Sequence, residues 1–416
     1  MAVNLRVPKI KFARANTSDS TYSPIATYYM ILVAALMLAG FGVIMTFSAT
    51  AVHNISMELN PYLVFSRNVV ITLVSLMAAV AASRFRPTTI RRWSWALFLA
   101  ALVFQLMVVP FGYAQGGNQN WVRIPVINQM IQPSELLKLA TCLMLAQVLA
   151  NLGERVNNWK AVAVGVGLPA VASLGAVMLG HDMGTALIFL AITVGALWVA
   201  GAPLKWFGAI GLAGLAASAV LVMMNPSRLR RVMEILPGLG SAPDPSAPTQ
   251  TAQGLWALGS GGLIGLGPGA SRAKWNYLQE AESDFILAIV GEEFGLIGTL
   301  TLVVTLGVLV WGTLRLASHS PDAFVRIASG GIAAWLIFQG FVNIGSVTGL
   351  TPVIGVPFPL VSYGGSAFLF TALAIGVLLA FARSEAGLTG WWRNRAETGP
   401  RDPRVAPKRT RVRRTR

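Results

Sequence analysis

Ten stretches of mostly apolar residues recur along this chain, most of them roughly the 18–22 residues an α-helix needs to cross a bilayer. Backbone polar groups in hydrocarbon must find partners inside their own segment, so repeated runs of this kind admit a helical bundle and little else. The spans are expected at residues 25–48, 62–82, 94–113, 134–152, 161–179, 185–201, 207–224, 284–314, 327–348 and 364–382. Composition agrees: 55% of residues are hydrophobic and 12% charged, where a soluble domain carries about a quarter charged. The fold class is therefore all-α, a polytopic membrane protein of about ten transmembrane helices. The first run is too long for a leader and lacks a small-residue cleavage site at its end, so it is expected to stay as an anchor. Cys142 is the single cysteine and lies inside an apolar run. No internal disulfide can form, and the residue reads as a small buried side chain.

Orientation follows from Lys and Arg in the short loops. With a cytoplasmic N-terminus, the inner loops hold Arg84, Arg86, Arg91, Arg92, Arg155, Lys160, Lys205, Arg315 and Arg326, and the short outer loops hold only Arg123. Both termini are then cytoplasmic. Residues 114–133, 225–283 and 350–365 face outward, with 225–283 a long extracytoplasmic segment between spans seven and eight. Three regions result: a basic N-terminal segment 1–24, a membrane domain 25–383, and a tail 384–416. The net charge of +16 is not spread over the fold. From Arg383 onward 11 Lys/Arg face three acids, a surplus of 8. That Pro- and Arg-rich stretch is expected to be disordered and to meet anionic lipid or a partner protein. Nucleic acid is not expected as a partner.

Polar residues beside apolar runs need a reason, because ionised groups are costly there. "QPSELLKLA" opens the fourth span with Pro133, and its acid complements the helix dipole. Glu135 and Lys138 are three apart and can pair on one face; Lys138 either completes a structural pair or also meets an anionic ligand in a wet cavity. In "GHDMGT", Asp182 is expected to cap the sixth span near Thr185. A lone His181 beside one Asp is no metal signature. "GSGGLIGLGPG" is not a nucleotide loop, since no strand precedes it and no Gly-Lys-Ser/Thr follows. Arg272 and Lys274 next to Trp275 and Tyr277 form a cationic, aromatic patch, either an interfacial belt or a seat for a lipid phosphate. Asp284 opens the eighth span. Glu292 lies about 80° around the helix from it, close enough to border the same cavity. Glu292 and Glu293 are otherwise glue, bonded to Gln339 or Asn343 of the ninth span. "GLTPVIGVPFPLVSYGGSAF", with Ser362 and Tyr363, is irregular backbone that belongs where it lines a cavity.

In this order, "QPSELLKLA", "HDMGTA", "SRAKWNYLQEAESDFILAIVGEEFG" and "NIGSVTGLTPVIGVPFPLVSYGGS" resemble the motifs of the SEDS family, membrane peptidoglycan glycosyltransferases typified by FtsW and RodA. The resemblance covers residues 25–383, and "SRAKWNYL" is closer to the FtsW branch than to RodA. It implies polymerisation of lipid II on the outer face of the bacterial cytoplasmic membrane, with undecaprenyl pyrophosphate leaving. A septal role beside a class B penicillin-binding protein and other division proteins follows from the same likeness. The family's essential aspartate falls on Asp284, expected as general base. Its loop tryptophan falls on Trp121, and its buried pair on Glu135 and Lys138. Trp121, Arg123, Glu135, Lys138, Arg272, Lys274, Ser362 and Tyr363 are expected to bind substrate, the cations stabilising the pyrophosphate. No all-protein metal cage is visible; a divalent cation, Mg or Mn, bridging the phosphates is compatible with the reaction, and its ligands stay unassigned. The chain departs from the family at Asn120 (usually Arg), at His181 (usually Pro) and at Glu282 (commonly His). Glu282 is expected to raise the pKa of Asp284 by like charge. Ten spans and intramembrane charge also suit a lipid II flippase or transporter, although no internal repeat is visible. A non-catalytic division scaffold and a RodA-like elongation polymerase are the other readings.

Overall fold

The computed structural model describes residues 22–224 apart from 57, 59, 116–117 and 125–128, then 229, 232 and 233, and 249–388 apart from 276–277 and 279. Almost all of the N-terminal segment, residues 225–248 apart from those three, and the tail from 389 lie outside the described residues. Helices are α1 Pro24–Ser56, α2 Pro61–Ser83, α3 Pro87–Leu106, short α4 Val108–Phe111, α5 Pro133–Leu152, α6 Trp159–Val162, α7 Leu168–Met178, α8 Met183–Val199, α9 Leu204–Met223, α10 Gln250–Gly261, α11 Ile286–His319, α12 Ala323–Val347 and α13 Gly365–Glu385. One turn of π-helix, Ala163–Gly167, joins α6 to α7, so the pair runs on as a single span.

Among the described residues nine helical segments are long and apolar enough to cross a membrane. The sixth expected span is the exception in length: α8 has 17 residues, the lower end of what crosses a bilayer. Proline sets the start of α2, α3 and α5, where its missing N–H costs no helical bond. Asp322 caps α12 through Phe324 N at 2.8 Å. The inner layer is α5, α12 and α13, which bury most of their length. By contrast α9 buries none of its residues, as expected of a helix whose whole surface meets lipid or a partner.

The all-α frame carries one addition. The segment read from the sequence as facing outward, 114–133, forms with the end of the expected third span a three-stranded antiparallel sheet, β1 Gly112–Gln115, β2 Asn118–Ile124 and β3 Gln129–Ile131. Tyr113 pairs with Trp121 and Val122 with Ile131. Asn120 and Val122 point inward and are buried, while Arg123 is exposed.

α11 is broken at Gly295 (φ 66°, ψ −160°). The backbone groups freed by the break are taken up by the glycine-rich segment after α10. Leu266 N and Gly267 N donate to the carbonyls of Glu292 and Glu293, while Leu296 N and Ile297 N donate to Gly262 and Leu263. This exchange keeps buried polar backbone paired across a helix interruption. It requires close approach: a Cβ on Gly265, already at φ +83°, would sit 2.2 Å from Glu293 O. Gly265→Ala is therefore expected to undock residues 262–275, lowering the melting temperature and making that segment the first proteolytic cleavage site. Wild-type melting and cleavage patterns would contradict this account of the loop.

Candidate active site

Asp284 stands in the turn just before α11, not inside it. The turn is closed by Ser283 N and Phe285 N, both donating to Glu280 O. Asn343 of α12 fixes its position: one amide nitrogen donates to the Asp284 carbonyl and to Val356 O, both at 2.8 Å. Across the opening, Tyr363 N donates to Glu282 O at 2.8 Å. Gly355, at φ +72°, brings backbone so close that a Cβ there would lie 3.5 Å from an Asp284 carboxylate oxygen. The carboxylate is thus bracketed by irregular backbone from 353–364, the setting expected for a Pro- and Gly-rich stretch at membrane depth.

Asp284 opens into a cavity of ≈ 600 Å³ whose wall includes Arg67, Trp121, Gln132, Asp182 and Tyr363. That volume suits a small-molecule or saccharide site. Four carboxylates, Asp182, Glu280, Glu282 and Asp284, reach this wall, and Arg67 is its one cation among the described residues. Burial is the first cause pushing the Asp284 carboxyl up to about 7, and the like charges of Glu280 and Asp182 add to it. The direction anticipated from the sequence is present, but the neighbours responsible are not Glu282. Glu280 adopts φ 55°, a left-handed turn that no composition signal announces. The Tyr363 hydroxyl is also raised, chiefly by burial and against the lowering effect of Arg67.

Asp182 caps α8 as expected, accepting from Thr185 N at 2.9 Å and Thr185 Oγ1 at 2.8 Å. It also accepts from Asn120 at 2.7 Å and Gln132 at 3.2 Å. Asn120 in turn accepts from Gln105 at 2.7 Å and donates to Ser134 at 3.1 Å. An amide network thus ties β2 to α3, α5 and α8 at the cavity floor.

Several expected binding residues lie elsewhere. Lys274 is buried and committed: it pairs with Glu293 at 2.9 Å and donates to Gly269 O at 2.7 Å and Ser48 Oγ at 3.1 Å. Glu292 does not border the cavity with Asp284. It accepts from Ser271 Oγ at 2.5 Å and from the backbone N–H of Arg272 at 3.0 Å and Ala273 at 3.1 Å. The tandem acids are glue, yet their partners are Ser48 and the 269–274 segment, not Gln339 or Asn343. Arg272 and Arg123 are exposed and outside the cavity wall. Glu135 and Lys138 do pair, at 2.8 Å, but both are buried away from the cavity. Lys138 spends its remaining contacts on Gln339 at 3.2 Å and on the Trp335 ring, 4.7 Å away. Ser362 turns inward, accepting from Phe358 N at 2.7 Å, and lines a neighbouring recess. The structure thus brings Asp284, Trp121 and Tyr363 together and adds Arg67, Gln132, Asp182 and Asn343. Among the described residues no three His, Cys, Asp or Glu side chains converge to hold a metal ion.

The family model for the cell cycle proteins FtsW, RodA and SpoVE matches residues 28–387. The chain is 33% identical over 364 residues to a probable peptidoglycan glycosyltransferase FtsW of Mycobacterium tuberculosis, covering 87% of this chain and 69% of that protein. It is 32% identical over 361 residues to stage V sporulation protein E of Bacillus subtilis, covering 85% and 96%. In fold it is similar to a chain of a peptidoglycan synthase complex that coordinates polymerization and crosslinking, with a TM-score of 0.69, 24% identity, and 86% and 97% coverage. It is also similar to the rod shape determining protein RodA of Thermus thermophilus, with a TM-score of 0.63, 22% identity, and 88% and 98% coverage.

Proposed function

Because this chain belongs to the FtsW, RodA and SpoVE family of cell cycle proteins, we propose that it is a peptidoglycan glycosyltransferase. It polymerises lipid II into glycan strands on the outer face of the cytoplasmic membrane, in septal wall synthesis. The observation that carries this reading is a carboxyl pushed up to about 7 on the wall of a ≈ 600 Å³ cavity, with Trp121 and Tyr363 beside it.

Each residue then has a task. The 4-hydroxyl of the acceptor GlcNAc attacks the anomeric carbon of a lipid-linked MurNAc. The new C–O bond forms as the bond to pyrophosphate breaks, and undecaprenyl pyrophosphate departs with the electron pair. Asp284 takes the hydroxyl proton, a role that needs hydrogen-bond reach and a pKa near working pH. Arg67, the cation on the cavity wall among the described residues, meets the charge that grows on the leaving pyrophosphate. Trp121 offers an aromatic face to a sugar ring. The Lys and Arg distribution supports cytoplasmic termini and an outward cavity. A class B penicillin-binding protein is the partner that would cross-link the strands, and the basic tail is a surface for anionic lipid or a division protein.

The test supplies lipid II to vesicles holding the purified chain with its partner transpeptidase. Glycan polymer is the expected product; translocated lipid II without polymer would favour a flippase, and neither product would favour a scaffold. The raised carboxyl also sets a pH dependence. A base works only when ionised, so kcat/KM should fall about tenfold per pH unit below 7 and level off above it. Asp182→Asn removes a like charge and should move that midpoint to lower pH. A flat profile through this range would contradict the assignment of the base.

A further inference from the structure

Asn68, near the start of α2, is 8% exposed, and neither its amide oxygen nor its amide nitrogen has a hydrogen-bond partner among the described residues. A carboxamide left this way is costly, and folded proteins seldom keep one without a water or a ligand. The side chain lines a recess between α1, α2 and the turn at 361–365, together with Thr46, Thr72 and Ser362. Ile71, Tyr363, Gly364 and Gly365 belong both to this recess and to the wall of the ≈ 600 Å³ cavity. The two spaces share this wall.

The chemistry of the recess is selective. Among the described residues no charged side chain lines it, so phosphate, carboxylate and ammonium groups find no counter-charge there and would lose hydration without return. It offers one planar donor-acceptor pair on Asn68, hydroxyl groups, and an apolar flank from Val43, Val361 and Phe368. A secondary amide presents the complementary acceptor and donor, and an attached methyl group suits the flank. The open space has room for about one or two waters, which such a group would displace.

We propose that this recess is an amide subsite, in which Asn68 reads a neutral secondary amide carried by the substrate. The inference rests on the glycosyltransferase reading above. Two substrate amides share this chemistry: the acetamido group of an amino sugar and the amides of the peptide stem. The sugar lies nearer the reacting carbon.

The experiment measures kcat/KM in proteoliposomes for wild type, Asn68→Ala and Asn68→Leu. Three substrates are compared: lipid II, an analogue with the sugar acetamido groups replaced by hydroxyl, and an analogue without the peptide stem. Wild type should lose about tenfold or more on one analogue, since a site built to hydrogen-bond a group rejects the analogue lacking it. Loss on the hydroxyl analogue identifies the acetamido group, and loss on the stemless one identifies the peptide. Both Asn68 variants should lose a similar factor on lipid II and no longer discriminate. Asn68→Leu should melt at or above the wild-type temperature, because it removes an unsatisfied amide; the loss then cannot be misfolding. Equal turnover of all three substrates by wild type, or discrimination kept by both variants, would overturn the proposal. If wild type makes no glycan from lipid II, the glycosyltransferase reading fails instead. Binding of the same three lipids, followed by tryptophan fluorescence, then tests the subsite directly, and equal affinities overturn it.

Discussion

Asp284→Asn is expected to cut glycan synthesis by about 10²–10⁴-fold, the range a positioned general base contributes. The substitution keeps the size and shape of the side chain and removes only the proton acceptor. What fixes the position of this residue is its main chain, held by Asn343, and the turn closed on Glu280 O; neither depends on the carboxylate. Melting temperature should therefore stay at or slightly above the wild-type value, because a carboxyl already pushed up to about 7 by burial and like charge is not a stabilising anion there. Loss of synthesis together with a large drop in melting temperature would point to a structural role and count against the mechanism.

The second large effect concerns stability, not turnover. Lys274 and Glu293 are 3% and 1% exposed and 2.9 Å apart. Removing one member leaves a buried charge with no counter-ion, which costs about 3–5 kcal/mol, whereas replacing both by uncharged residues of similar size is often near neutral. Lys274→Met and Glu293→Gln should each lower unfolding stability in detergent by an amount in that range, and the double variant should recover most of it. A buried pair that serves as glue predicts this pattern. A Lys274 that served mainly to hold substrate phosphate would instead give a stable single variant with poor turnover.

How much of this was legible in advance depends on the range of the physics. The spans could be read because bilayer thickness acts on each segment alone. The helix start at Pro133 could be read because proline suits the first helical position, and the start after Asp182 because its cap is settled within three residues. Three features could not. The sheet around Trp121 has strands of four, seven and three residues, too short to show alternation against a polar background. The partners of Glu292 and Glu293 do not follow from the sequence, because they lie about 20 residues upstream on backbone N–H groups and on Ser48 of α1. Neither contact follows from helical periodicity, and the break at Gly295 lets the 262–267 backbone reach them. Arg67 is the third. It looked like one more basic residue near a span end, and only the folding of α2 against the 361–365 turn brings it to the same wall as Asp284. Cations nearer in sequence to the aspartate, Arg272 and Lys274, were the more obvious choices and are the ones the fold turns away.

Wild type and Asp284→Asn, reconstituted side by side with equal lipid II and a saturating partner transpeptidase, give the most direct comparison when the chain length of the product is read on a gel. A ladder of long strands from the first and unreacted lipid from the second is the predicted result. Ladders of equal length and yield from both would mean that some other group removes the proton, and the assignment of this carboxylate would have to be abandoned.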